Sequence, residues 1–165
     1  MNLNDFKCVN ENVSLDDYYD LYDAVRSNMP NPKLLALLTM EETINNLKEG
    51  KLWLYYHNEK PVCSFFYFVV TKKRLTEHNI QLNEKDVCML GPIMVRKEYV
   101  GYGLMNQMLF ILEEYAKNKN KKYIYVSAAK ENIYSVRNLL RNGYTVVDEY
   151  ESDRGMNLAF IKEIK

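Results

Sequence analysis

The residues best suited to chemistry lie in Gly91–Met105, which reads GPIMVRKEYVGYGLM. The pattern predicts an apolar strand, a short polar turn that contains Gly101 and Gly103, and the start of an amphipathic helix. Elements in that order place several backbone N–H groups and the positive end of a helix dipole in one concave spot. The segment therefore predicts a site for an anion the size of a pyrophosphate, as carried by a nucleotide-type cofactor.

Length and composition predict one soluble globular domain spanning residues 1–165. Hydrophobic residues make up 47% of the chain and charged residues 27%, which excludes an intrinsically disordered protein. Lys plus Arg and Asp plus Glu both number 22, so no net field attracts nucleic acid or an anionic membrane. Neither is expected as a partner. The short basic clusters at 72–74 and 117–122 are interpreted as solvated loop surface.

The cysteines and histidines do not indicate a metal site. Cys8, Cys63 and Cys88 lack metal-ligand spacing, and His57 and His78 do not combine with them into a zinc pattern. Reduced thiols are typical of a cytosolic protein. The first ten residues contain no apolar leader, and no run approaches the length needed to cross a bilayer. A cytoplasmic protein without metal is therefore expected.

Capping signals predict two helices in the first third of the chain. Ser14 can cap a helix over residues 15–28. Thr39 and Glu42 form a capping box for a second helix that ends at Gly50. The residues that this second helix is expected to bury are Met40, Ile44 and Leu47.

Aromatic and β-branched runs predict strands, and apolar residues at helical spacing predict two more helices. The predicted strands cover residues 52–56, 61–70, 87–95, 123–126, 144–147 and 158–161. The two later helices are predicted over about 103–117 and about 133–142, the last burying Val136, Leu139 and Leu140. The order indicates an α/β (α+β) sandwich around a mixed sheet. The long polar connection at 71–85 fits either a substrate lid or a variable surface loop.

The run from Leu90 to Met105 resembles the cofactor-binding motif of the GNAT superfamily, the acetyl-CoA-dependent N-acetyltransferases. That motif is an apolar strand end, a turn, Arg or Gln, two free positions, Gly, one free position, and Gly or Ala. The matching positions here are Ile93, Met94 and Val95 in the strand, and Val100, Gly101, Tyr102, Gly103, Leu104 and Met105 in the loop. Downstream, Asn132 opens a helix that Gly143 and Tyr144 close, at the spacing of the family.

The resemblance implies a GNAT-like mixed, mostly antiparallel central sheet, splayed between strands 4 and 5, which are the ones predicted at 87–95 and 123–126, and flanked by about four helices. Pantetheine would pair with the backbone at Ile93, Met94 and Val95, and the Ile93 amide would donate to the thioester carbonyl. Backbone amides of the loop from Val100 to Met105 would hold the pyrophosphate. The side chain of Asn132 would reach the cofactor, cap its helix, or do both.

The implied activity is transfer of an acetyl group from acetyl-CoA to a primary amine by direct attack in a ternary complex. Two positions that carry a Glu base or a Tyr acid in relatives are Met89 and Leu139 here. Tyr134 is the alternative acid, or else an ordinary aromatic residue. Cys88 is interpreted as a small core residue, because no base that would activate it as a nucleophile is evident.

Three functions stay open at this stage. An acetyltransferase acting on a small-molecule amine or a peptide is the first. The departures at Met89, Val100, Met105 and Leu139 favour the second, a non-catalytic CoA-binding sensor or regulatory domain. The third is an interaction domain without cofactor. Pairing of an exposed final strand between two copies would give a homodimer.

Overall fold

The computed structural model describes residues 6–35 and 38–164. The prediction that no apolar leader is present concerns the first ten residues, and residues 1–5 of that stretch lie outside the described residues. The chain divides into two compact units. The first contains Met1–Phe66 and Gly91–Met105, and the second contains Tyr67–Leu90 and Asn106–Lys165.

The described residues form a mixed α/β structure with mostly antiparallel strands, as the sequence predicts. The helices in this part of the chain are α1 Leu15–Ser27, α2 Met40–Lys48, α3 Lys72–Glu77, α4 Leu104–Asn118 and α5 Ile133–Arg141. The strands are β1 Lys7–Val9, β2 Leu52–His57, β3 Lys60–Val69, β4 Val87–Leu90, β5 Met94–Val95, β6 Tyr123–Ala129, β7 Thr145–Ser152 and β8 Gly155–Glu163. Short 3₁₀ turns cover Pro32–Leu34, Glu84–Asp86 and Lys97–Tyr99.

The strands of the first unit are all antiparallel, in the order β1-β2-β3 with β5 also paired to β3. Its core is aromatic: Trp53 stacks on Phe65 with ring centroids 5.0 Å apart. Tyr18 of α1 meets Phe66 edge-on at 5.5 Å. Aromatic pairs of this geometry contribute beyond the area that they bury, so the Tyr18–Phe66 contact stabilises the packing of α1 on β3.

Both predicted helix caps of the first unit are present. The Ser14 hydroxyl accepts from the Asp17 amide at 3.3 Å, and the capping box of Thr39 and Glu42 is complete. The expected burial of Met40 is wrong, because this side chain is 61% exposed and Thr43 faces inward instead. Thr43 is buried without an unpaired hydroxyl because its Oγ1 donates to the Thr39 carbonyl at 2.9 Å.

In the second unit, the strand order is the end of β3, then β4, β6, β8 and β7. β4 and β6 are parallel, and the other pairs are antiparallel. β8 lies between two strands, so the expectation that the final strand is an exposed edge is wrong. The edge strand is β7, because the last hairpin folds back outward from β8.

In the second unit, α4, α5, β6 and β8 all contribute fully buried residues. They are Met108, Leu109, Leu112, Ile124, Leu139 and Phe160. The expected burial of Leu140 is wrong, since it is 49% exposed. Leu139 and Leu140 are neighbours in the nine-residue helix α5, and neighbouring side chains of a helix point about 100° apart. Because α5 packs through Leu139, Leu140 points outward.

The single strand expected over residues 87–95 is wrong, because Gly91, Pro92 and Ile93 separate β4 from β5. Pro92 has no N–H to donate to a ladder. Gly91 keeps one backbone bond, from its N–H to the Phe66 carbonyl at 2.9 Å. The parallel pairing of β4 with β6 ends at Met89 and Tyr125 although β6 continues to Ala129, as expected of strands that splay.

The polar connection at 71–85 is not a plain loop. It contains α3, which Thr71 caps by accepting from the Arg74 amide at 3.2 Å. Leu75 and His78 are its two buried side chains between positions 71 and 79. Among the helices of residues 6–35 and 38–164, none is long and apolar enough to cross a membrane.

Candidate functional site

The glycine loop lies in the first unit, between β5 and α4. After the 3₁₀ turn Lys97–Tyr99, Gly101 and Gly103 adopt φ angles of +94° and +79°, and α4 begins at Leu104. Only glycine adopts such angles without strain. A Cβ atom added to either glycine would have no described heavy atom within 4 Å. Backbone conformation therefore requires these glycines, and the space in front of them is open.

The loop presents its backbone and not its side chains. Val100 and Tyr102 project outward and are 60% and 42% exposed, whereas Leu104 is buried and anchors the first turn of α4. The first N–H groups of a helix have no partner within the helix. In α4, which has 15 residues, these N–H groups lie at the positive end of the helix dipole. The arrangement suits a diphosphate-sized anion.

The strand segment before the loop has a second edge that faces away from β3. Met94 lies opposite Ser64, and the Arg96 amide donates to the Val62 carbonyl at 2.9 Å. Because backbone groups alternate in direction along a strand, the amides of Ile93 and Val95 are directed away from β3. An extended ligand chain can pair with amides in this orientation.

A buried arginine that sequence reasoning missed braces this segment. Arg96 is 6% exposed, and its Nε donates to the Pro61 carbonyl at 2.7 Å. Its guanidinium also forms an ion pair with Asp20 of α1. The Arg96 carbonyl accepts from the Tyr99 amide at 2.9 Å, so the same residue starts the turn that precedes the glycine loop. Sequence signals give no hint of it, since Asp20 lies 76 positions away.

Asn132 and Tyr134 belong to the second unit, at the start of α5. Asn132 is the helix N-cap, and its Oδ1 accepts from the Ser135 amide at 3.2 Å. The cap uses only the oxygen, and the amide group carries two further N–H donors. Tyr134 is 72% exposed, which leaves its hydroxyl in solvent. The loop residues Ile93 to Met105 all lie in the first unit, so the predicted site residues divide between the two units.

The buried thiol of the second unit is inert. Burial raises the pKa of Cys88 to about 12, and its Sγ lies 3.7 Å from the Tyr123 carbonyl. A thiol with so high a pKa stays protonated near neutral pH and is a poor nucleophile. This agrees with the interpretation of Cys88 as a core residue. Leu139 is fully buried, and Met89 packs partly buried against a core cluster.

Metal-ligating residues do not gather in the described part of the chain. Across residues 6–35 and 38–164, no three His, Cys, Asp or Glu side chains are placed to hold a metal ion.

The mixed sheet, the early end of the β4–β6 pairing and the glycine loop before α4 together define an acetyltransferase fold. The sequence model of the acetyltransferase (GNAT) family matches residues 16–144, and the chain belongs to this family. A comparison with curated protein sequences finds no significant match.

Solved structures show the same fold. Ard1 from Thermoplasma volcanium aligns with a TM-score of 0.75 at 10% identity, over 98% of this chain and 99% of its own. An N-acetyltransferase from Staphylococcus aureus Mu50 aligns with a TM-score of 0.70 at 15% identity, over 97% and 98%. The protein yncA from Salmonella typhimurium, solved with its cofactor acetyl-CoA, aligns with a TM-score of 0.67 at 13% identity, over 97% and 94%. At such identities the likeness establishes the fold.

Proposed function

We propose that this protein is an N-acetyltransferase that moves the acetyl group of acetyl-CoA to a primary amine of a small molecule or a protein N-terminus. The observation that carries the proposal is the open glycine loop that leads from β5 into α4. Two glycines at positive φ, with no described heavy atom within 4 Å of an added Cβ, support an anion site in the first unit. Bound acetyl-CoA in the structure of yncA is a supporting parallel.

In the proposed complex, the backbone of the first unit holds the donor. Amides of Val100, Gly101, Tyr102, Gly103, Leu104 and Met105 bind the diphosphate. Ile93, Met94 and Val95 pair with pantetheine, and the Ile93 amide donates to the thioester oxygen as negative charge develops there. The Asn132 side chain is a further proposed cofactor-binding group.

The reaction is a direct attack. The amine nitrogen forms a bond to the acetyl carbon, the C–S bond breaks, and the CoA thiolate takes up a proton. The amine must first be neutral, and an alkyl ammonium with a pKa near 10.4 is only about a thousandth neutral at pH 7.4, a deficit of roughly 4 kcal/mol. Tyr134 is the proposed donor to the thiolate. An alkyl thiol with a pKa near that of free Cys, about 8.5, is also a fair leaving group without assistance.

The alternative function is a CoA-binding sensor without catalysis. It is favoured by the apolar side chains at Met89 and Leu139, where relatives carry titratable groups. The two functions share the cofactor site and differ only in turnover, so one experiment separates them.

The test measures binding and turnover on the same preparation. Acetyl-CoA and CoA should each raise the melting temperature. CoA release is then followed with a thiol reagent across a panel containing spermidine, amino acids, an aminoglycoside and a peptide with a free N-terminus, with mass spectrometry of the product. An enzyme-only blank corrects for the protein's own thiols. Binding without turnover on any amine would favour the sensor, and no stabilisation by either ligand would exclude both functions.

Asn132→Asp separates the two roles proposed for this side chain. Aspartate caps a helix as well as asparagine does but has no N–H to donate. We therefore expect an unchanged melting temperature and an acetyl-CoA Kd raised by about tenfold, which corresponds to about 1.4 kcal/mol. Calorimetric titration checks this. Unaltered affinity in Asn132→Asp would leave the residue as a cap alone.

Met105→Ala should tighten acetyl-CoA binding several-fold, by on the order of 1 kcal/mol. The family pattern has a small residue at this position, and Met105 is only partly buried, so its removal leaves no core cavity. Alanine also keeps the helix favourable. Met156→Ala, the same change at an exposed position of β8, is the control and should leave Kd unchanged. Weaker binding by Met105→Ala would show that the methionine contacts the ligand favourably.

A further inference from the structure

A cluster of three aromatic rings in the first unit has no part in the function described above. The rings are those of Phe6, of His57 at the end of β2, and of Tyr99 in the 3₁₀ turn before the glycine loop. Nδ1 of His57 lies 3.1 Å from the hydroxyl oxygen of Tyr99, and the two ring centroids are 5.6 Å apart. The Phe6 ring contacts both, at centroid distances of 5.1 Å from His57 and 6.0 Å from Tyr99. The histidine therefore joins the β2–β3 hairpin to the segment that enters the glycine loop.

The bond between His57 and Tyr99 forms in either tautomer of the imidazole. A bare Nδ1 accepts from the tyrosine hydroxyl, and a protonated Nδ1 donates to the hydroxyl oxygen. The three side chains are all half-buried, so the bond is partly shielded from competing water. The contact is therefore able to persist whichever ring nitrogen carries the proton.

The tip of the hairpin gives this contact a well-defined position. His57 pairs directly with Lys60, and the two-residue turn between them is Asn58 at a φ of +49° and Glu59 at a φ of +62°. Turns with two positive φ angles match the twist of the strands that they connect. The two paired side chains lie on one face of the sheet. Lys60 reaches the same 3₁₀ turn as His57, since its Nζ lies 2.9 Å from Oε1 of Glu98.

The start of β3 is bonded to the same turn. The Arg96 amide donates to the Val62 carbonyl at 2.9 Å, and its side-chain Nε donates to the Pro61 carbonyl at 2.7 Å. The Tyr99 amide in turn donates to the Arg96 carbonyl at 2.9 Å. The hairpin thus holds the turn at its beginning through Arg96 and at its end through Tyr99.

The glycine loop needs such an anchor because its own residues do not restrict it. Glycine has access to more backbone conformations than other residues, so Gly101 and Gly103 lose much entropy when the loop is ordered. Buried Leu104 anchors the loop where α4 begins. Tyr99, two positions before Gly101, is the anchor at the other end. A site that already has its bound shape loses less conformational entropy when the ligand arrives.

We propose that His57 is a positioning residue for the glycine loop. By holding Tyr99, it keeps the loop in the shape that binds the diphosphate of the cofactor. This rests on the proposed binding of acetyl-CoA. His57 acts through Tyr99 and needs no contact with the cofactor, and the role involves no proton transfer.

The test measures acetyl-CoA affinity by calorimetric titration, at a temperature where every variant is folded. Tyr99→Phe removes the hydroxyl and keeps the ring, and we expect it to raise Kd by about fivefold, the effect of one net hydrogen bond. His57→Leu should weaken binding at least as much. The double variant should lose no more affinity than His57→Leu alone, because both changes remove the same contact. His57→Asn should restore most of the affinity, since the asparagine amide places a polar atom close to where Nδ1 lies.

Tyr56→Phe is the matched control. The Tyr56 hydroxyl donates to Oδ2 of Asp17 at 2.7 Å, in the same unit and one position from His57. The variant loses a tyrosine hydrogen bond without altering the turn before the loop, so its melting temperature should fall while its Kd for acetyl-CoA stays at the wild-type value. A purely structural role of His57 predicts the same behaviour for Tyr99→Phe, and that result overturns the proposal.

Nitrogen NMR with glycine-selective labelling tests the positioning role without ligand. The chain has six glycines, so few signals need assignment. Tyr99→Phe should shift or broaden the amide signals of Gly101 and Gly103 in the free protein, and Tyr56→Phe should leave them unchanged. Weaker affinity with unchanged glycine signals would show that Tyr99 contacts the cofactor directly, which also overturns the proposal.

The outcome is independent of turnover, because only binding is measured. Wild-type protein that binds acetyl-CoA, together with His57→Leu at the same Kd, would reject the positioning role and leave the proposed function intact. A wild type that binds no acetyl-CoA rejects both proposals.

Discussion

Gly103→Val is expected to raise the Kd for acetyl-CoA by about 100-fold or more, which corresponds to about 2.7 kcal/mol. Two effects act together. The φ of +79° at this position is unfavourable for a β-branched residue, so the loop must change conformation. The new side chain also enters the open space in front of α4, where the diphosphate is proposed to bind. Calorimetric titration or a thermal shift with acetyl-CoA measures the loss.

Gly155→Val is the matched control for this experiment. Gly155, in the β7–β8 hairpin, has a φ of +94° and likewise open space around an added Cβ. The variant therefore carries a similar conformational cost without touching the proposed loop, and its acetyl-CoA affinity should stay at the wild-type value. Equal affinity of Gly103→Val and wild type would reject the anion site, whereas equal losses in both variants would assign the effect to stability.

Arg96→Met should destabilise the protein by about 2 kcal/mol, a decrease in melting temperature of roughly 4–8 °C for a chain of this size. The methionine fills similar volume but leaves the Pro61 carbonyl without its charged donor and removes the ion pair with Asp20. Since Arg96 also starts the turn before the glycine loop, a weaker affinity for acetyl-CoA should accompany the loss of stability.

Lys60→Met is the control for the arginine, because it removes a nearby ion pair that is exposed. Lys60 and Glu98 are 2.9 Å apart, and both side chains are about half exposed. Exposed pairs contribute less than about 1 kcal/mol, so this variant should melt within a few degrees of wild type. A melting temperature of Arg96→Met no lower than that of Lys60→Met would contradict the bracing role assigned to the buried guanidinium.

The parts of the fold that the sequence predicts well are those encoded by neighbouring residues. Ser14 and the Thr39–Glu42 capping box start their helices where expected, because caps act within one turn. α3 was not predicted, since its six residues contain one buried apolar side chain, Leu75, and no helical period. The strand break at Pro92 was not predicted either, because the apolar pattern of residues 87–95 is continuous.

The same distinction applies to the candidate site: features encoded by neighbouring residues could be predicted, and those that depend on distant partners could not. Gly101 and Gly103 could be found from sequence, because φ angles of +94° and +79° strongly favour glycine. Arg96 could not, because its partner Asp20 lies 76 positions away, and a single charged residue carries no period. Its role emerges only once the fold brings the distant carboxylate to it. The roles of Ile93, Asn132 and Tyr134 stay predictions.

Neither compact unit is continuous in the chain, since residues 67–90 of the second interrupt the first. A nascent polypeptide emerging from the ribosome therefore cannot complete the first unit until residue 105 has been synthesised. By then a whole strand of its neighbour, β4, has already been exposed. Truncations at residue 66 or 90 should consequently yield aggregation-prone fragments without a complete first unit.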